Sequence, residues 1–395
     1  NAPPTVFHCV LKDERKSEAK IDKPRLIQAG PVEHTIASRR LTMDFVAAFY
    51  DHALDGFSAV GVNCLGSDWQ KMVKKLRWHN NIICGDVKNF GPTLPTELVR
   101  SVYTIINAWY EQYDKNLETH KMYKIMRSAL RAEVTDSINV AYNTVFQTMC
   151  CSPSGQPLTV VVNTICMYMY VYMAYRDIML KQKKEATYAS FKKNVNCLVY
   201  GDDIWISVSD AIKNDFNNIA LSECFKRHGV NYTDIDKKEV TRPFVTLSES
   251  SFLGRTPHLL EGTIVGVLDE DLIRDIINWT KCRNYRNIDG HMLSTTQSAL
   301  IEYMFYGKKK FSEVFKKLNK YWVDRGINLN GYTYVELYEK WQQGALGEGQ
   351  ALSAECVCPI DKKDIKLAAS SADCISDSPG VGSRQHERES YINRI

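Results

Sequence analysis

The segment Tyr200-Gly201-Asp202-Asp203 lies between two short apolar runs, Cys197-Leu198-Val199 and Ile204-Trp205-Ile206. A glycine–acid turn flanked by strand-forming residues predicts a β-hairpin with carboxylates at its tip. Adjacent carboxylates repel, and the like charge raises one pKa unless a cation neutralises the pair. A hard divalent ion with oxygen ligands suits such a tip. Taken alone, Gly-Asp-Asp reads first as an exposed turn, so the rest of the chain has to decide. A second acidic strand end, Ile82-Ile83-Cys84-Gly85-Asp86-Val87, is the feature that complements it. A sheet can bring such distant strand ends together.

Two divalent ions held about 3.5 to 4 Å apart by Asp86, Asp202 and Asp203 would stabilise the attacking and leaving oxygens of a phosphoryl transfer. Nucleotidyl transfer is the reaction this points to. Magnesium keeps several waters and takes one or two protein carboxylates plus substrate phosphates, so three aspartates suffice chemically.

At 395 residues and 45.2 kDa the chain is long enough for two or three subdomains. Its 50 basic and 46 acidic residues leave a net charge of only +4, so any nucleic-acid surface has to come from local clustering. The 12 cysteines lack framework spacing, and reduced core thiols of a cytosolic protein are expected. Cys150-Cys151 and Cys356-Val357-Cys358 lack the spacing of a zinc site. The apolar run 160–175 is interrupted by Asn163 and Thr164 and ends at Arg176-Asp177. It falls short of the roughly 20 residues of a membrane span and predicts a buried helix.

Along the chain, 12–25 is a polar segment rich in bases with acids interspersed. Helices are predicted over 41–54, with Met43, Phe45, Val46, Phe49 and Tyr50 as the apolar stripe, and over 68–78. Residues 97–150 are expected to be mostly helical, with Tyr103, Ile106, Trp109 and Tyr110 on one buried face. A loop at 152–157 precedes the apolar helix, and an amphipathic helix over 210–227 stops near Gly229. Further helices are expected over 272–279 and 298–305. Beyond them, Phe311, Val314, Phe315, Leu318 and Trp322 form a stripe opposite Lys316, Lys317 and Lys320. A polar tail with little periodicity, 344–395, is expected to be disordered.

In order, these motifs resemble the RNA-dependent RNA polymerases of picorna-like positive-strand RNA viruses. The fingertip motif is matched by Lys12-Asp13-Glu14, Arg15, Lys23 and Arg25-Leu26-Ile27. Motif A is similar to Asp86-Val87-Lys88-Asn89-Phe90, motif B to Ser154-Gly155-Gln156-Pro157-Leu158-Thr159 with Asn163, and motif C to Tyr200-Gly201-Asp202-Asp203. Motif D corresponds to Asp236-Lys237, motif E to Phe252-Leu253-Gly254-Arg255, and the thumb segment to 276–281. The wording of 86–92 looks most like insect iflaviruses.

The resemblance implies an α/β (α+β) right hand with fingers, palm and thumb, its small antiparallel palm sheet flanked by helices. Residues 1–80 would be partial fingers, 81–96 palm, 97–150 a fingers insertion, 151–256 palm and 257–343 thumb. Asp86 and Asp202 would be the principal metal ligands, with Asp203 and the Val87 carbonyl assisting. The implied ion is Mg2+, with Mn2+ as an alternative. Lys12, Arg15, Lys23 and Arg25 would hold the triphosphate, and Lys237 would protonate the leaving pyrophosphate. Ser154, Thr159 and Asn163 would read the ribose, Asn163 being positioned by one of the two hydroxyls, and the Gly155 peptide would let its loop move as RNA translocates. Phe252, Leu253, Arg255, Lys316, Lys317 and Lys320 would grip the primer and product duplex.

Implied partners are the RNA template, the primer–product duplex, nucleoside triphosphates, a protein primer and other viral replication proteins, with no membrane span. The implied location is the host cytoplasm, at replication complexes on membranes. Two departures stand out. Family members carry a further N-terminal segment before the fingertip motif, so an N-terminally incomplete piece is expected. Gly91 stands where most of the wider family has an aspartate, which assigns ribose selection to Asn163. The alternatives are a reverse-transcriptase-like polymerase, which shares the paired acidic motifs, and a catalytically incompetent RNA-binding fragment.

Overall fold

The computed structural model describes residues 4–14, 22–113, 117–149, 152–279 and 288–346. Arg15 and almost all of the 344–395 tail lie outside them, as does part of the 276–281 segment.

The chain begins with strands β1 (Val6–Leu11) and β2 (Leu26–Ala29), antiparallel with His8 opposite Ala29 and Leu11 opposite Leu26. Helices α1 (Val32–Asp51) and α2 (Asp68–Leu76) precede β3 (Asn81–Val87), and a single helical turn α3 (Phe90–Thr93) leads into α4 (Thr96–Tyr113) and α5 (Leu117–Thr135). Next come β4 (Ile138–Ala141) and β5 (Thr144–Gln147), the long helix α6 (Thr159–Lys181), α7 (Tyr188–Asn194), β6 (Val195–Tyr200), β7 (Asp203–Val208), α8 (Asn218–Arg227) and β8 (Tyr232–Thr233).

Four strands in the order β6-β7-β3-β8 make a fully antiparallel sheet. Its outer β6 edge is covered where Val199 N–H donates to Phe57 O and Ala59 N–H to Val199 O, which removes an exposed strand edge. Helix α6 is apolar on nearly all sides, and a helix of that kind has to be buried. Val161, Cys166, Met167, Val171 and Ala174 lie in one core with Ile83, Val199, Ile204 and Ile206 of the sheet. A second four-stranded sheet, β2-β1-β4-β5, contains a parallel pairing of β1 with β4.

The chain divides into two compact units. The first runs to Val62 and from Asp68 to Pro257, and the second comprises Asn63–Ser67 and the chain from His258 onward. Strand β9 (Arg255–Leu260) begins in the first unit and runs on into the second, which holds its hairpin partner β10 (Thr263–Leu268) and helices α9 (Glu270–Asn278), α10 (Ile288–Met304), α11 (Lys308–Val323) and α12 (Tyr334–Gln342). Its own core includes Leu300, Met304, Phe311, Leu318, Trp322 and Leu337.

Several expectations need correction. Residues 138–147 form a hairpin rather than helix, turning at Tyr142-Asn143 with Ala141 opposite Thr144. Alternation in Ile138-Asn139-Val140 was the available signal. Helix α1 starts at Val32, and its buried face is His34, Ser38, Leu41, Thr42 and Phe45, whereas Met43 and Tyr50 are exposed. The helix expected from 210 starts only at Asn218, because the Asn217 side chain caps it by accepting from Ile219 N–H and Ala220 N–H. The mainly helical segment from 257 also contains the β9–β10 hairpin. Cys84, Cys166, Cys197 and Cys224 are buried free thiols, and burial pushes Cys84 and Cys166 up to about 12, so they are unreactive at neutral pH. Among the described residues no helix is long and apolar enough to cross a membrane.

Candidate active site

The hairpin of β6 and β7 pairs Val199 with Ile204 and Tyr200 with Asp203, which leaves Gly201 and Asp202 as a two-residue turn. Gly201 has φ +63°, the left-handed conformation such turns demand. On the other side of β7, Gly85 of β3 lies opposite Ile204, so Asp86 follows across from Asp203. Asp86 itself pairs with Thr233 of β8. Gly85 is sterically obligatory, since a Cβ there would lie 2.4 Å from both Thr233 O and Tyr232 Oη.

The three aspartates feel one another's charge. Burial pushes the Asp203 carboxyl up to about 7, helped by Asp202 and Asp86, while a hydrogen bond from Leu253 N–H at 2.6 Å opposes the shift. Asp202 is raised by partial desolvation of its carboxyl and by Asp86, with Arg25 acting in the opposite sense. Asp202 and Asp203, both held above the usual carboxylate range, call for positive charge, and together with Asp86 they offer all-oxygen donors that fit a hard divalent cation. Val87 has its side chain in the core, so only its main chain is available to such an ion.

Lys237 Nζ stands 3.7 Å from Asp86 Oδ2 and brings a cation to the edge of the trio. Its backbone has φ +60° in a turn where Lys237 N–H donates to Asp234 O and Asp234 N–H to Lys238 O. A lysine held in the left-handed region costs energy that the surrounding turn has to offset. Among the described residues a different trio, Asp177, Cys224 and His228, brings ligand atoms within 4.8 Å of one another. Asp177 there already accepts from Arg227 at 2.7 Å and Lys181 at 3.2 Å, so its charge is met.

The fingertip residues fold as a continuation of the β1–β2 hairpin, Lys12 N–H donating to Arg25 O. Arg25 forks onto Glu14, with Nε 2.8 and 2.9 Å from its two oxygens, and Lys12 Nζ is 3.9 Å from the same carboxylate. Glu14 was missed as a counter-charge, although the acids interspersed among the bases were the signal. Lys23 is exposed.

The loop before α6 docks on β2. Ser154 Oγ donates to Leu26 O at 3.2 Å, and Gly155 N–H to Gln28 O at 3.1 Å. A Cβ on Gly155 would sit 2.4 Å from Gln28 O, so close backbone approach is what requires glycine there. Thr159 Oγ1 is placed against Pro153 O and Gln156 O. The two hydroxyls expected to position Asn163 are therefore engaged elsewhere. Asn163 Oδ1 is buried with no hydrogen-bond partner. Gly91 lies in α3, where its carbonyl accepts from Ser152 N–H at 3.2 Å.

Two expected RNA-gripping residues are corrected by burial. Phe252 is 0% exposed and stacks on Trp205 at 5.6 Å, and Arg255 is 8% exposed. Neither side chain is presented to a duplex; they hold the turn at Leu253 and Gly254, whose φ values are +54° and +70°. Lys316, Lys317 and Lys320 are exposed on α11, opposite buried Phe311, Leu318 and Trp322.

Residues 2–321 match the family model described as viral RNA-dependent RNA polymerase. A replicase polyprotein of cricket paralysis virus is 31% identical over 320 residues, covering 78% of this chain, and the genome polyprotein of deformed wing virus is 27% identical over 331 residues, covering 81%. The chain spans only 18% and 11% of those polyproteins. Among solved structures, a sicinivirus 3Dpol RNA-dependent RNA polymerase superposes with a TM-score of 0.68 at 17% identity, over 87% of this chain and 68% of that one. The fold is thus that of the right-hand polymerases. The chain belongs to the viral RNA-dependent RNA polymerase family, as its motif order led us to expect, and the reverse-transcriptase alternative finds no support.

Proposed function

We propose that this chain carries out template-directed RNA synthesis, adding nucleoside monophosphates from triphosphates to an RNA 3′ end and releasing pyrophosphate. The observation that carries this reading is the placement of Asp86 and the Asp202–Asp203 hairpin on neighbouring strands, with Lys237 against Asp86. Mg2+ bound by Asp86, Asp202, Asp203 and the Val87 carbonyl would supply charge stabilisation for the transferred phosphoryl group. Lys237 is positioned to hold a proton near the leaving oxygens. Arg25 and Lys12, released from Glu14, would meet the triphosphate. We assign 81–96 and 151–256 to the palm, 1–80 and 97–150 to the fingers and 257–343 to the thumb. The work would take place in the host cytoplasm, at replication complexes on membranes, with other products of a viral polyprotein. The test is primer extension with Mg2+ and ribo- or deoxynucleotides, on this chain and on one extended at its N-terminus. Extension by neither chain, with RNA still bound, would favour the incompetent RNA-binding fragment.

Ribose selection is assigned to Asn163. Its unpartnered buried Oδ1 can accept from a ribose 2′-hydroxyl, and Gly91 offers no side chain to compete. Losing one buried polar partner costs about 1 to 3 kcal/mol, or roughly 5- to 150-fold in preference. Asn163→Ala is expected to relax ribo-over-deoxy selectivity within that range. Gly91→Ala should barely alter it, since its Cβ would meet only Ser152 O at 3.8 Å. A larger effect from the glycine change would reverse the assignment.

Metal and protons should be linked. The Asp203 carboxyl is raised from 3.8 to about 7, so between these values the native state holds a proton that the unfolded chain has lost. The contribution of this group to stability is therefore full below about pH 4 and lost as pH rises through 7. A bound cation reverses the balance by favouring the carboxylate. The gain in Tm from adding Mg2+ over a chelator should grow between pH 6 and pH 8; a gain that shrinks over this interval would remove Asp203 from the ion.

Lys316, Lys317 and Lys320 are assigned to duplex phosphates. Every phosphate left without its lysine should flatten the plot of log affinity against log salt, by somewhat under one unit of slope. The triple glutamine variant is expected to bind RNA less steeply, by up to about 2 to 3 units. An unchanged slope would make these lysines an ordinary solvated face.

A further inference from the structure

Thr164 directly follows Asn163 of motif B, and its side chain connects that helix to the turn of motif C. Gly201 N–H donates to Thr164 Oγ1 at 2.8 Å, and the threonine hydroxyl gives its own proton to Val160 O at 2.7 Å, one helical turn back. The hydroxyl's only hydrogen is thus committed to the helix, and its lone pair faces the hairpin. Thr164 is 0% exposed, and Gly201 is buried as well. The ladder pairs Tyr200 with Asp203, so Gly201 N–H in the turn has no strand partner. A buried backbone donor needs an acceptor, and the Thr164 hydroxyl is the one supplied. The acceptor is rigidly placed, because α6 is packed into the core around Val161, Ile165 and Cys166. The very next residue in the turn is Asp202.

We infer that Thr164 is a positioning residue: its hydroxyl fixes the Gly201–Asp202 turn, and so sets where the Asp202 carboxylate stands for metal binding. The inference rests on the functional reading only for its consequence at the metal, since the hydrogen bond itself can be tested without activity or ion. Thr164→Val keeps the shape and removes the acceptor, whereas Thr164→Ser keeps the hydroxyl and removes a methyl.

The first measurement is hydrogen exchange of the peptide spanning 198–204 in the metal-free chain, and the second is Mn2+ binding followed by electron paramagnetic resonance titration. Thr164→Val is expected to speed exchange at the turn by about 10-fold or more and to weaken Mn2+ binding by about 5- to 150-fold, the range that removal of one buried hydrogen bond produces. Thr164→Ser should stay within about 3-fold of the parent in both. Unchanged exchange in Thr164→Val would overturn the hydrogen bond's role. Faster exchange with unchanged Mn2+ affinity would overturn its effect on Asp202, and a serine variant as impaired as valine would show that packing is what matters. Should Thr164→Val fail to fold, Thr164→Cys, of similar bulk but a weak acceptor, faces the same outcomes. A parent chain that binds Mn2+ but extends no primer would count against the polymerase reading and leave this inference standing.

Discussion

Asp202→Asn is expected to lower ribonucleotide incorporation by on the order of 10³-fold while leaving the fold and RNA binding close to the parent. The substitution keeps size and hydrogen-bonding shape at the turn and removes one negative charge from the trio. Charge stabilisation by a bound ion is worth several kcal/mol, and each 1.36 kcal/mol is a factor of ten in rate. The hairpin should tolerate the change, because Asp202 is a turn residue whose strand neighbours Tyr200 and Asp203 keep their pairing. Asp203→Asn is expected to do less damage. Its side chain also accepts from Leu253 N–H, a bond an asparagine oxygen can retain, and at about pH 7 the parent carboxyl is already half protonated in the absence of metal. Single-turnover primer extension with Mg2+ measures both; near-parental rates for Asp202→Asn would take that residue out of the catalytic centre, and the reverse ranking would exchange the two roles.

Gly85→Ala is expected to damage both the sheet and the site. The new Cβ would meet the Thr233 carbonyl and the Tyr232 ring hydroxyl at 2.4 Å, far inside van der Waals range. Tyr232 cannot swing aside easily, since it is buried and its hydroxyl donates to Asn218 Oδ1 at 2.8 Å. Strand β8 would have to leave β3 next to Asp86, whose partner is Thr233. Overpacking of this kind costs about 1 to 3 kcal/mol or more, so a Tm several degrees lower and a fall in incorporation are expected together. Denaturant unfolding with primer extension at a temperature where the variant is folded separates the two effects. Parental stability and rate would mean that β8 accommodates the methyl and that the sheet is not what holds Asp86.

Much of the site is legible in the linear sequence because its signals are local. The Gly201–Asp202 turn, the strand ending at Asp86 and the burial of α6 follow from turn chemistry, β-branched runs and an apolar sequence all round one helix. Motif order supplied the relation between them. Other features depend on partners far along the chain, which no window of neighbouring residues contains. The buried face of α1 includes polar His34 and Ser38 because His34 meets Glu133 of α5 at 2.9 Å and packs its edge on Phe7 of β1. Phe252 looks like a residue for gripping RNA until Trp205 covers it. Gly155 and Gly85 are needed for what approaches them, Gln28 and Tyr232 with Thr233, rather than for their own backbone angles. By itself the sequence determined which residues carry charge and which segments turn, since those are properties of short stretches. Only the tertiary structure decided which of these groups face one another, because burial and hydrogen-bond satisfaction are settled between elements, as where the hydroxyl of Thr164 meets the amide of Gly201.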